Sequence, residues 1–303
     1  MRVLTLAFVI SAATCAAALI NEVREAIDAK DFAKGASLIE AHRKARGENP
    51  EMIAALSWMA RGQLKQKNYD KADEFARQTY DLAQKQLKRQ KGNLDEEGHL
   101  PIALGAAIEV RGQVLAAQGQ RDQAVQYLEQ ELKTYHDTSI RTRIQKNINL
   151  ISLEGKPAPA LGISKYLGPK PQPLSALKGK PVALFFWAHW CGDCKYQGPV
   201  LAEVRKSYKD LVVIGPTQHY GYVAGGAEAA EKVETAYIDQ VRHRSYADLL
   251  DMPVPLDEET FRNYGSSTTP TVVLIDRAGI VRVYHPGIMR DAELRAALDK
   301  FAK

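Results

Sequence analysis

The run from Pro181 to Trp187 is unbroken in its apolar character, with no charge and no alternation of polar and apolar residues. That is the pattern of a strand buried on both faces of a sheet. It leads directly into Trp187-Ala188-His189-Trp190-Cys191-Gly192-Asp193-Cys194-Lys195, and helix-forming sequence follows from Cys194 to Tyr208. A cysteine set where a buried strand turns into a helix faces backbone N–H groups that the helix leaves unpaired, and the positive end of its dipole. Both stabilise the thiolate, which is the reactive form. Cys194 follows about one helical turn later, on the same face. The spacing predicts that Cys191 is the exposed nucleophile. Cys194 is then the resolving thiol, which attacks a mixed disulfide on Cys191 and releases the product.

The rest of the chain leaves little else for its cysteines to do. There are three, and the third, Cys15, lies in an N-terminal stretch of distinct composition. Arg2 is followed by apolar and small residues from Val3 to Ile20, and then by the charged Glu22, Arg24 and Glu25. A basic start, an apolar stretch and Ala16-x-Ala18 before the charges predict a secretory signal peptide. Residues 3–20 are also long enough to remain as a membrane tether. Lipidation of Cys15 is a third reading, weakened by Thr14 before it. The expected location is the periplasm or the outer face of a bacterial membrane. Stray thiols are a hazard in an oxidising compartment. Two remaining thiols three positions apart therefore read as one redox pair. No further Cys or His pair has zinc-site spacing, and His219 and His243 lack a metal-ligand pattern, so no metal is expected. The redox-active disulfide needs no other cofactor. The basic residues behind the net charge of +5 are scattered among acids, so a solvated, mixed-sign surface is expected and no nucleic-acid patch is read.

Residues 21–153 read as helical, rich in Ala, Leu, Gln, Lys and Glu with apolar residues at three- and four-residue steps. Three turns look alike: Asp31-Phe32-Ala33-Lys34-Gly35, Asn68-Tyr69-Asp70-Lys71-Ala72 and Gln120-Arg121-Asp122-Gln123-Ala124. Each precedes an amphipathic helix. They resemble degenerate tetratricopeptide-type helix pairs, in which small residues such as Gly112 and Ala124 let helices approach closely. A plain helical bundle accounts for them as well. From Gly155 the texture becomes Pro- and Gly-rich, a linker. Residues 154–303 then read as an α/β domain. Leu211–Ile214 and Thr271–Ile275 are buried strands, Asp276–Gly279 a hairpin turn, Ile280–Tyr284 its return strand, and Asp291–Phe301 a closing helix.

The motif resembles the active site of thioredoxin, and its flanks narrow the resemblance. Gly155-Lys156-Pro157-Ala158-Pro159, the Leu-Lys-Gly-Lys-Pro approach ending at Pro181, the Cys pair, and Ser267-Thr268-Thr269-Pro270-Thr271 occur in the order found in TlpA/ResA-type thiol–disulfide oxidoreductases. The resemblance covers residues 155 to 303 and implies a thioredoxin-like fold, a mixed sheet flanked by helices. It implies that Thr269-Pro270 is a cis-proline loop facing the disulfide, where Thr269 presents a backbone edge to an extended substrate. Trp187 and Trp190 are expected around the site, and Gly192 permits the tight turn. Thioredoxin carries a buried acid at the position of Phe185, which cannot transfer a proton. Glu203 and Glu258 are candidate replacements, against the simpler reading of exposed helix residues. The segment Gly215–Asp251 exceeds a minimal connection, and His219, Tyr220 and Tyr222 are candidates to line a partner surface or to serve as packing.

These readings converge on an exported protein that reduces disulfides of partner proteins and is recharged by an upstream thiol donor, with the helical domain recruiting partners. A peroxiredoxin-like peroxidase shares the Pro157-Ala158-Pro159 landmark but needs a Pro-x-x-x-Thr-x-x-Cys motif that is absent. A non-catalytic scaffold with a structural disulfide is the other alternative, although so short a loop adds little stability. Asp193 stands where thioredoxins usually carry Pro. An anion near Cys191 disfavours its thiolate by about 1 kcal/mol at contact distance in water, partly offset by His189 and Lys195. Equilibration with glutathione is expected to give a potential toward the reducing end of the thioredoxin-like range. A value typical of a strong oxidant contradicts this.

Overall fold

The computed structural model describes residues 13–90, 93–96 and 98–302. Residues 1–12 of the expected export segment, and the side chain of Cys15, lie outside the described residues. The chain divides into two compact units, Met1–Ile140 and Arg141–Lys303.

The first unit contains α1 (Ala13–Asp28), α2 (Phe32–Arg46), α3 (Pro50–Lys65), α4 (Tyr69–Gln90), α5 (Leu100–Ala117) and α6 (Arg121–Thr134). Helix α1 packs on α2 and α3, α3 on α4 and α5, and α5 on α6. The three similar sequence turns join α1 to α2, α3 to α4 and α5 to α6, and their backbones repeat. Lys30, Lys67 and Gly119 each adopt positive φ (60°, 61° and 82°). The following N–H then reaches back to close the helix: Asp31 to the Ala26 carbonyl, Asn68 to Gln63 and Gln120 to Leu115, at 2.7 to 2.9 Å. This is a Schellman C-cap used three times. Gly35, Ala72 and Ala124, equivalent positions in the helices that follow, are all buried, as the close approach of helices requires. Helix α5 is long and apolar enough to cross a membrane by composition, but its buried residues pack against α3, α4 and α6.

The second unit opens with α7 (Arg141–Ser152), so the division falls earlier than the expected boundary after residue 153. The reason is packing. Ile144, Ile148 and Ile151 are buried, Asn149 Nδ2 donates to the Asn263 carbonyl at 3.1 Å, and Arg141 pairs with Glu259 at 2.9 Å. Gly265, at φ +60°, lies so close to the α7 backbone at Lys146 that a Cβ there would collide with it.

The remaining elements are β1 (Tyr166–Leu167), β2 (Val182–Phe186), α8 (Gly192–Arg205), β3 (Val212–Ile214), α9 (Glu231–Ser245), β4 (Val254–Pro255), α10 (Glu258–Asn263), β5 (Thr271–Ile275), β6 (Val281–Pro286) and α11 (Asp291–Leu298). The main sheet has the order β3-β2-β5-β6. Strands β2 and β3 are parallel, and β5 is antiparallel to both β2 and β6, so the sheet is mixed. Strands β1 and β4 form a separate pair. Every residue of β2 and β5 is buried. Alternation along β2 supplies two cores. Ala183, Phe185 and Trp187 face a cluster with Leu201, Val204, Ile238 and Leu294. Val182, Leu184 and Phe186 face Phe261, Tyr264 and Leu153.

Helix α8 packs tightly on this first core at Gly198, where a Cβ would run into the Tyr246 ring. That ring in turn meets Phe185 and Trp187 edge-on, with centroids at 5.5 and 4.9 Å. Gly198→Ala is expected to lower unfolding stability by about 1–3 kcal/mol through overpacking. Chemical denaturation checks this, and an unchanged midpoint contradicts it.

Candidate active site

Strand β2 ends at Phe186, and the next residues are pinned before the chain turns. The Trp187 N–H donates to the Pro216 carbonyl (3.2 Å), the Trp187 indole to the Gly215 carbonyl (2.9 Å), and Thr217 Oγ1 to the Trp187 carbonyl (2.8 Å). Trp187 is therefore a core residue, fully buried. The Cys191 N–H returns to the Ala188 carbonyl at 3.1 Å, closing the turn. Cys191 is the N-cap of α8, and its Sγ accepts the Cys194 N–H at 3.0 Å. A sulfur takes the place usually held by a Ser or Asp oxygen.

Cys191 and Cys194 are joined by a disulfide. Cys191 is 4% exposed and Cys194 0%, so both are buried and the expectation of an exposed Cys191 is not met; Cys191 is the less buried of the two. Gly192 and Asp193, the first residues of α8, are exposed, and Trp190 is 49% exposed. Across the site, Thr269-Pro270 is a cis peptide, and the Thr269 carbonyl oxygen lies 3.4 Å from Cys191 Sγ. The structure thus brings Trp190, Cys191, Cys194, Thr269 and Pro270 together, with Gly192 and Asp193 on the open side of the turn.

Phe185 shares the buried core that holds Cys191 and Cys194. It is fully buried against Tyr246. Gln197, within one turn of Cys194, is fully buried and holds the Met289 backbone, accepting its N–H at 2.7 Å and donating to its carbonyl at 3.0 Å. The two acid candidates are elsewhere: Glu203 and Glu258 are exposed and pair with Lys206 and Arg262. The buried carboxylate that reaches the turn before Cys191 is Glu234 of α9, missed in the sequence because it sits in a charged amphipathic run. Glu234 and His189 are each 1% exposed, and His189 Nε2 lies 3.2 Å from Glu234 Oε1. Tyr220, Tyr222 and Tyr237 meet the His189 ring edge-on at 5.3 to 5.5 Å. Tyr220 also meets Trp190, at 5.6 Å. His219 takes a different course and bonds Thr235 Oγ1 at 2.7 Å.

Residues 174–302 match the family model described as a thioredoxin-like domain. The "Thioredoxin-like protein YneN" of Bacillus subtilis is 32% identical over 48% of this chain and 79% of that protein. A "Thiol:disulfide interchange protein DsbE" of Xylella fastidiosa is 30% identical over 46% of this chain, and the "Thiol-disulfide oxidoreductase ResA" of Bacillus anthracis is 30% identical over 42%. The chain spans 64% and 66% of those two relatives, just under two thirds of their length.

Burial holds the His189 pKa below its ordinary value of 6.5, against an opposing pull from Glu234. A histidine whose folded pKa is depressed contributes stability that is complete above the unfolded value and is lost as pH falls through the folded one. Stability of the protein is therefore expected to fall below pH 6.5 by up to about 1.4 kcal/mol per pH unit from this group. His189→Gln keeps a donor for Glu234 and removes the titration. Thermal unfolding across pH 5 to 8 should show a shallower acid slope in the variant; equal slopes contradict this.

Proposed function

The chain belongs, through residues 174–302, to the thioredoxin-like family, and we propose that it is a thiol–disulfide oxidoreductase that reduces disulfides of exported proteins. The observation that carries this reading is the Cys191–Cys194 disulfide at the N-terminus of α8, with Thr269 facing it. The names of the relatives agree with it.

The chemistry follows from the geometry. In the dithiol form, the Cys191 thiolate is stabilised by the Cys194 N–H and the α8 dipole. It attacks one sulfur of a substrate disulfide. A new S–S bond forms to Cys191, and the other substrate sulfur leaves as a thiolate and takes a proton from water. An extended substrate pairs with the Thr269 backbone as an added strand, which aligns its sulfur with Cys191. Cys194 then loses its proton and attacks Cys191 Sγ. The mixed disulfide breaks, the second substrate thiol departs, and Cys191–Cys194 is oxidised. Two electrons have passed to the substrate. An upstream thiol donor reverses these steps on the enzyme.

The N-terminal segment supports export: Arg2, the apolar stretch 3–20 and the abrupt charge after it fit a signal peptide or tether. We read the first unit as tetratricopeptide-type helix pairs. Its three equivalent C-caps and the stacking of α1, α3 and α5 support that reading. Such pairs recruit polypeptide partners.

Cys191→Ser is expected to abolish reduction of insulin disulfides, and Cys194→Ser to accumulate mixed disulfides on Cys191 that mass spectrometry identifies. Insulin reduction that survives Cys191→Ser, or a Cys194→Ser protein that traps nothing, contradicts the reading.

A further inference from the structure

A buried polar cluster beside the redox pair takes no part in the exchange steps. Its centre is the Glu234 carboxylate. Oε1 accepts the Tyr220 N–H at 2.6 Å and faces His189 Nε2 at 3.2 Å, and Oε2 accepts the Gly221 N–H at 2.9 Å. A buried carboxylate only accepts, so the imidazole proton sits on Nε2. Three donors make burial of the charge tolerable. They come from two separate segments: the turn before Cys191, and the irregular stretch after β3. That stretch needs such an anchor. Gly221 adopts φ +81°, and the chain doubles back at once, Tyr222 bridging Glu228 and the Ala229 N–H reaching the Gly221 carbonyl at 2.9 Å.

The consequence lies at the surface. Tyr220 is held by its own backbone to Glu234, and its ring is wedged between His189 and Trp190. Trp190, half exposed and one residue from the nucleophile, meets that ring edge-on. Without the anchor, the Tyr220 and Gly221 N–H groups lose their acceptor, which loosens the Tyr220 ring against Trp190 and returns rotamer freedom to Trp190.

We propose that Glu234 is a positioning residue for the redox site: it locks the Tyr220–Gly221 turn to His189, so that Tyr220 and Trp190 form a fixed aromatic wall for the apolar side chains flanking a polypeptide disulfide. The proposal rests on the oxidoreductase reading above and adds to it the residues that favour a polypeptide disulfide over a small one. A small disulfide such as oxidised glutathione reaches Cys191 without touching much of this wall. A protein disulfide buries its neighbouring side chains there, and contacts of that kind depend steeply on placement.

The test uses the full chain and compares kcat/KM for insulin with that for oxidised glutathione. In Glu234→Gln, the amide nitrogen faces a backbone N–H that the carboxylate had accepted. Its insulin-to-glutathione ratio is expected to fall by about tenfold. Tyr220→Ala, which keeps the backbone contacts of the carboxylate, is expected to lower the ratio similarly, and it carries the test if Glu234→Gln does not fold. An unchanged ratio in the folded variants overturns the proposal, whether both rates hold or both fall together as a general loss of structure would make them. Wild-type protein that reduces neither substrate overturns the oxidoreductase reading and this proposal together. Wild-type activity with an unchanged ratio in the variants overturns this proposal alone.

Discussion

A helix cannot satisfy its own first N–H groups, and the second unit is arranged around that fact. At α8 the unmet N–H of Cys194 points at sulfur, because the N-cap is Cys191 in an extended conformation (φ −75°, ψ 114°). Everything nearby serves to deliver the cysteine there. Strand β2 is buried on both faces, so it cannot slide without exposing two cores. The residue that follows the strand, Trp187, is tied by three hydrogen bonds to the stretch 215–217. Strand β5, antiparallel to β2, brings the cis Thr269-Pro270 peptide up against Cys191.

The second constraint is electrostatic. Ionised groups are costly to bury, and each needs donors in proportion to its charge. At Phe185 and Gln197 the protein avoids that cost with neutral side chains, the latter spent on the Met289 backbone. The anion that is buried, Glu234, lies to the side, where two backbone N–H groups and an imidazole receive it. It thus shapes the surroundings of the redox pair from beyond the hydrogen-bonding reach of its sulfurs. His189 connects the two regions because it sits in the turn before Cys191 while its ring belongs to the tyrosine cluster.

In the first unit a repeat is plainer in the backbone than in the residues. Lys30, Lys67 and Gly119 share little chemistry, yet each stands in the left-handed conformation at the same place in its turn. Two lysines at positive φ are unusual, since that conformation favours glycine. The Schellman bonds around them satisfy carbonyls that the helix end would otherwise leave open. Helix α7 shows the opposite case. Its composition continues that of the preceding helices, but its buried isoleucines pack with the second unit.

The sequence by itself determined the elements with strong local signatures. The resemblance to TlpA/ResA-type proteins placed Thr269-Pro270 opposite the Cys pair, whereas the apolar runs 182–186 and 271–275 read locally as buried strands and the Cys pair after the first as the start of a helix. Periodicity and spacing suffice there because each signal is contained within a few neighbouring residues. Tertiary structure alone decided what depends on distant segments meeting. Glu234 reads as one more charge on an amphipathic helix, and becomes the anchor of the turn before Cys191 only when α9 lies against residues 189–221. Glu203 and Glu258 carry the same chemistry, yet they remain in solvent because their helices turn them outward. The assignment of α7 to the second unit was set likewise, by contacts with Asn263 and Gly265 more than a hundred residues away. Burial is a property of the assembled neighbours, and no local pattern encodes it for a single polar side chain.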